Sequence, residues 1–265
     1  MNHVAVVTGA SAGLGRATAD LLAGVGWTVV GASRRGSGGE AWRGIVMDVD
    51  DDRSVQDGID SVLAEHGRVD ALVAAAGWGL AGPVETTTIS EAKAQFETNY
   101  WGAVRVTTAL LPHMRARNSG RIVLASSIGG QIALPFQAYY SASKFALEGW
   151  AEALAYEVKP FRISVTLIEP GNFKTDFTAN RRNSQNPHEA YAAAVDHAIG
   201  VMERDEQKGA DPSAAAELIA KQLQARAPRR RVSVGANGER IGLVAKRALP
   251  HRWFEAIAKN SLGIR

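Results

Sequence analysis

Cysteine is absent from all 265 positions. That removes disulfides and thiolate metal sites from consideration and fits a chain kept in a reducing cytoplasm. Long apolar runs are also missing: none approaches the roughly 18 residues that a membrane-spanning helix needs. The opening MNHVAVVTGA enters a strand-like run at once. It lacks the basic leader and longer apolar stretch of a secretory signal, so a cytoplasmic location is expected. The histidines (His3, His66, His113, His188, His197 and His251) show no metal-ligand spacing, and no metal site is expected. No repeat, low-complexity tract or linker divides the chain. One domain over 1–265 is therefore expected.

Charge is present but uneven. The net charge is +3. From Asp211 to the end there are 11 Lys and Arg against 4 Asp and Glu, a surplus of seven, so the rest is net acidic. The densest basic run is PRRRVSV. A solvated face explains it simply; steering of an anionic ligand or lipid surface is the alternative. No groove-reading motif accompanies the charge, which argues against nucleic acid.

Apolar residues make up 46% of the chain, enough for a large core. HVAVVTG, WTVVGAS, GIVMDV, DALVAAAG, RIVLASS, ISVTLIEP and RVSVGA read as strands. Helix-like stretches such as 15–25, 53–66, 90–117 and 142–158 lie between them. Doubly apolar strands alternating with helices predict a parallel sheet of about seven strands covered on both faces. This is an α/β, doubly wound Rossmann arrangement, which binds ligands beyond the carboxyl ends of its strands. Residues 171–210 break the rhythm with the extra helical stretch HEAYAAAVDHAIGVMER, expected to act as a substrate lid. Asp211-Pro212 then marks a fresh helix start.

Two stretches carry chemistry. VVTGASAGLGRA places Gly9, Gly13 and Gly15 between the first strand and a helix, where backbone N–H groups can approach a pyrophosphate. YYSASK places Lys144 four residues after Tyr140 and five after Tyr139. At about 100° per residue only Tyr140 shares a helix face with Lys144. A nearby ammonium is expected to lower the phenol's usual pKa of about 10 and fit it for proton transfer with a carbonyl oxygen.

The T-G-x-x-x-G-x-G and Y-x-x-x-K patterns resemble the short-chain dehydrogenase/reductase family over most of residues 3–176. The resemblance implies hydride transfer between a nicotinamide dinucleotide and a ketone, aldehyde or alcohol. It makes Asn99, Ser127, Tyr140 and Lys144 catalytic, with Ser127 thirteen residues before Tyr140. It places Gly9, Ser11, Gly13, Leu14, Gly15, Ser33, Asp48, Val49, Ala75, Gly77, Pro170, Gly171, Phe173 and Thr175 around the cofactor, which Tyr140 and Lys144 also touch. The second strand ends in Ser33-Arg34-Arg35, where an NAD enzyme commonly has a carboxylate. Arginine attracts a 2′-phosphate, so NADP(H) is expected.

Ala74-Ala75-Ala76-Gly77 departs from the family's Asn-Asn-Ala-Gly and puts local bracing of the sheet in doubt. GGQIALPFQAYYSASKFALEGWAEAL is similar to stretches in steroid and retinoid dehydrogenases, implying a bulky apolar substrate. Trp78, Trp101 and Phe136 flank the chemical segments and could line its pocket or pack in the core. Reduction of a carrier-bound 3-oxoacyl thioester is an alternative. A dinucleotide-sensing scaffold is another, weakened because all four catalytic residue types are present. A homodimer or homotetramer is implied.

Overall fold

The computed structural model describes residues 3–261, with backbone alone at positions 237, 240, 260 and 261. Its elements follow the chain as β1 (Val4–Thr8), α1 (Gly13–Gly24), β2 (Thr28–Ser33), β3 (Arg43–Val46), α2 (Asp52–His66), β4 (Ala71–Ala74), β5 (Leu80–Ala81) and α3 (Ile89–Phe96). Then come α4 (Ala103–Ala116), β6 (Gly120–Ala125), α5 (Ala138–Glu157), β7 (Ile163–Pro170), β8 (Arg182–Asn183) and α6 (Glu189–Gln207). The last are α7 (Pro212–Gln224), β9 (Arg231–Val234), α8 (Asn237–Ala248) and α9 (His251–Ser261).

Seven strands form one parallel sheet in the order β3-β2-β1-β4-β6-β7-β9. Every residue of β1 is buried, as a central strand covered on both faces requires. Alternation sends Val6, Leu72 and Ile122 into a core with Ile59, Leu110 and Leu147 of α2, α4 and α5. It sends Val7, Val73 and Val123 to the other face, against Leu22 of α1 and Ile219 of α7. Burying each such side chain contributes about 1.5–3 kcal/mol before entropy is counted. Strand order reverses between β1 and β4, and the crevice at their carboxyl ends is the position where such sheets take ligands.

The expected sheet is present, and several elements differ in detail. The helix expected over 142–158 begins at Ala138, so both tyrosines are helical. The stretch read as one helix over 90–117 is broken by a π-helical turn, Glu97–Gly102, between α3 and α4. Residues 171–210 form an excursion from the sheet whose two ends are joined by a bridge between Phe173 and Ala210. Within that excursion, the short β8 pairs with β5 in a separate two-stranded piece. Asp211 caps α7 by accepting the Ser213 N–H at 2.8 Å. The pair α8–α9, which no motif announces, completes the described chain.

Candidate active site

A cleft of about 880 Å³ opens at the carboxyl ends of the strands. One end is lined by Gly9, Ser11, Gly13, Leu14, Gly15, Ser33, Arg34, Arg35, Asp48 and Val49. The other holds Ala75, Gly77, Ser127, Tyr140, Lys144, Pro170, Gly171, Phe173 and Thr175.

The first end is built to admit an anion. Gly9 has φ +68°, and a Cβ there would lie 2.8 Å from the Ala75 carbonyl oxygen. At Gly15 a Cβ would come within 2.4 Å of the Gly9 carbonyl oxygen. Only glycine lets α1 start this close to β1. No side chain caps the N-terminus of α1, and no acidic residue occupies its first turn. Its N–H groups and the positive end of its dipole therefore face the cleft, which suits a pyrophosphate. The Ser33 hydroxyl is buried without a hydrogen-bond partner among the described residues, and the Arg34 and Arg35 side chains are exposed beside it. These features fit a nicotinamide dinucleotide.

The sheet remains braced where the family's asparagines are missing. The Ala75 and Ala76 N–H groups donate to the buried Thr8 hydroxyl at 3.1 and 3.3 Å. A β1 side chain thus holds the loop after β4.

At the chemical end, Ser127 caps a short 3₁₀ turn and its hydroxyl accepts the Gly129 N–H at 3.0 Å. Tyr140 is 7% exposed, and its ring meets Phe177 edge-on at 5.6 Å between centroids. Burial pushes the phenol up to about 12, while hydrogen bonding with Ser127 pulls the other way. Lys144 is 6% exposed, and its Nζ donates to the Ala125 carbonyl at 2.8 Å, 6.0 Å from the Tyr140 ring centroid. Burial brings its ammonium down to about 8, partly offset by the Glu148 carboxylate. The lowered phenol pKa expected from the sequence is therefore not found here. Desolvation dominates, and the Lys144 ammonium, which donates to the Ala125 carbonyl rather than to the phenol, is not among the groups that shift it. Tyr139 does not line the cleft.

Asn99 is the one site residue expected from the sequence that lies behind the wall. It is 1% exposed within the π-helical turn. Its Oδ1 accepts the Trp78 N–H and its Nδ2 donates to the Trp78 carbonyl, both at 3.0 Å. The amide thus takes both backbone groups of the residue after Gly77. Of the three aromatics in question, only Trp78 lines the cleft. Trp101 is 47% exposed, and Phe136 packs against Ala81, Ile199 and Met202. The sequence did not reveal Phe177, Arg182, Glu206 or the α9 residues Phe254, Ile257 and Ala258 as cleft-lining. Nor did it reveal the buried Arg181, which pairs with Glu203 and Glu206. Among the described residues no group of His, Asp and Glu could hold a metal, and no helix is long and apolar enough to cross a membrane.

Known proteins share this arrangement. A family model described as short chain dehydrogenase matches residues 3–186. A 3-ketodihydrosphingosine reductase of Bacteroides thetaiotaomicron is 38% identical over 267 residues, covering 99% of each chain. A short-chain dehydrogenase structure from Streptomyces avermitilis superposes with a TM-score of 0.84 at 34% identity, covering 98% of each chain. A short-chain dehydrogenase/reductase from Burkholderia phymatum, solved with NAD, gives 0.81 at 25% identity, covering 97% of this chain and 95% of that one. With the glycine loop, the parallel sheet and this likeness along the whole length, the chain belongs to the short-chain dehydrogenase family of oxidoreductases.

Proposed function

We propose that the protein is an NADP(H)-dependent reductase of ketones carried on long apolar chains, with a 3-keto sphingoid base as the first substrate to try. The observation that carries this reading is the meeting of Ser127, Tyr140 and Lys144 with the uncapped N-terminus of α1 in one cleft. NADP(H) is favoured by Arg34 and Arg35 and by the lack of a carboxylate from Ser33 to Gly39. The substrate class is favoured by the apolar wall of Ile132, Leu134, Phe177, Met202, Phe254 and Ile257. It is also favoured by full-length similarity to a protein named for such a reduction.

Bound NADPH supplies the hydride that the carbonyl carbon receives. The chain's own residues do the rest. The Ser127 hydroxyl donates a hydrogen bond to the carbonyl oxygen and stabilises the negative charge developing there. Tyr140 delivers its proton to that oxygen, completing the alcohol. A phenol near 12 is fully protonated at neutral pH, as an acid acting in the reductive direction must be. Lys144 keeps positive charge beside the phenolate left behind, and Asn99 fixes the Gly77-Trp78 backbone next to it. Residues 171–210 act as a lid that excludes water from this step. Pairing of two copies through α4 and α5, with Tyr156 exposed on α5, belongs to the same reading.

The test is NADPH oxidation with 3-ketodihydrosphingosine in mixed micelles, compared with short ketones and a 3-oxoacyl thioester. The long-chain ketone should give a kcat/KM at least about tenfold above the others. Preference for the thioester would replace the substrate class. No turnover of any carbonyl would remove the enzymatic reading.

A further inference from the structure

Helix α8 is inverted relative to an ordinary surface helix. The charged side chains described on it bond back to the body of the protein, Lys246 and Arg247 staying exposed as they do so. Glu239 accepts the N–H groups of Asn172 and Ala236, each at 2.8 Å, and Lys246 and Arg247 both bond to Gln131. Its apolar residues turn outward: Ile241 is 66% exposed and Val244 64%, with Ala248 also exposed at the same helical spacing. Only Leu243 of its large apolar side chains is buried. On α9, Trp253 is 58% exposed and Ile257 52%. Large apolar side chains left exposed on two consecutive helices mark a place where something binds.

Two further observations say what covers it. Phe254, Ile257 and Ala258 of α9 line the cleft, so through the exposed Ile257 the α9 side of this surface reaches the substrate wall. The two helices are net positive: by sequence, 237–261 holds five Lys and Arg against two Glu, and Lys246, Arg247 and Arg252 are exposed at the rim of the face. A second copy seated on this face would bring like charge to like charge. A surface with anionic head groups and an apolar interior matches both properties, and an exposed Trp beside basic residues suits its boundary.

We propose that α8 and α9 dock the protein on an anionic lipid surface, with the mouth of the cleft toward the bilayer. The apolar chain of the substrate then enters past Phe254 without crossing water. This last step rests on the substrate class proposed above; the docking does not.

The experiment is flotation of the full-length protein with vesicles of phosphatidylcholine alone or with about a third phosphatidylglycerol. Wild type should float with the anionic vesicles and much less with the neutral ones, and 0.5 M salt, on the order of a 4–5 Å screening length, should weaken binding. The variant Ile241→Ser/Val244→Ser/Trp253→Ser should lose at least about tenfold in partitioning. Its near-native circular dichroism and unchanged NADPH oxidation with a short soluble ketone would show that it folds. Equal flotation of variant and wild type, or no wild-type flotation, overturns the proposal. Concentration-dependent self-association lost only in the variant overturns it in favour of a second copy. Because flotation needs no turnover, failure here and failure of the ketone assay are read separately.

Discussion

Tyr139 and Tyr140 are adjacent in sequence and about 100° apart around α5. That rotation puts Tyr140 in the cleft wall and leaves Tyr139 outside it. Tyr140→Phe should therefore lower kcat by about 10²–10⁴-fold, the usual worth of a positioned proton donor, with NADPH affinity kept. Tyr139→Phe should stay within a few-fold of wild type in the same steady-state assay. The reverse result would exchange their roles. Lys144 adds a pH signature. Its folded pKa near 8 lies below the 10.5 usual for a free lysine, so between these values the unfolded chain binds more protons than the native one. Stability from this group is lowest at neutral pH and rises as pH climbs from about 8 to 10.5. The Tm difference between Lys144→Met and wild type should shift toward wild type across that window. A constant difference would show that the ammonium is not desolvated in the native protein.

Among elements, those with local signals were legible in sequence, and those held by distant partners were not. The glycine loop, the Asp211-Pro212 helix start and the Tyr–Lys spacing each lie within a dozen residues, and each falls where the spacing put it. Asn99 interrupts a stretch read as one helix over 90–117, and an amide is a poor helix former. The form of that disturbance, a π-helical turn gripping Trp78, depends on a partner 21 residues away. The inverted face of α8 was illegible because periodicity reports that a helix has an apolar side, not which way it points. Arg181 was missed for the same reason of distance: its carboxylate partners lie 22 and 25 residues on, in α6. With its side chain 2% exposed, it ties the segment carrying Phe177 to α6 over Tyr140. Arg181→Leu strands the Glu206 carboxylate and should cost about 3 kcal/mol, felt mainly in this segment. Hydrogen exchange should quicken in 171–210 while the central strands keep their protection, and KM should rise. Uniform quickening throughout the sheet would make Arg181 a core residue rather than a latch.

At the scale of the whole molecule, the parallel sheet reverses direction of winding between β1 and β4, and the chain concentrates anion affinity there. The uncapped α1 N-terminus, the glycine turn and Arg34 and Arg35 all address one end of the cleft. Two polar features there lack partners among the described residues: α1 has no side-chain cap and the Ser33 hydroxyl no hydrogen bond. A ligand that supplies them stabilises only the native state. At a hundred times its Kd it adds about 2.7 kcal/mol. For a chain of this size that is on the order of 5–10 °C in Tm. NADPH should produce such a shift. NADH, lacking the 2′-phosphate, should need at least about tenfold more for the same shift, a difference of about 1.4 kcal/mol. The double variant Arg34→Ala/Arg35→Ala should erase that difference by weakening NADPH and leaving NADH nearly unchanged. If wild type responds equally to both dinucleotides, the arginines are solvated loop residues, and the selectivity for the phosphorylated cofactor falls while the fold and the Tyr140 chemistry stand.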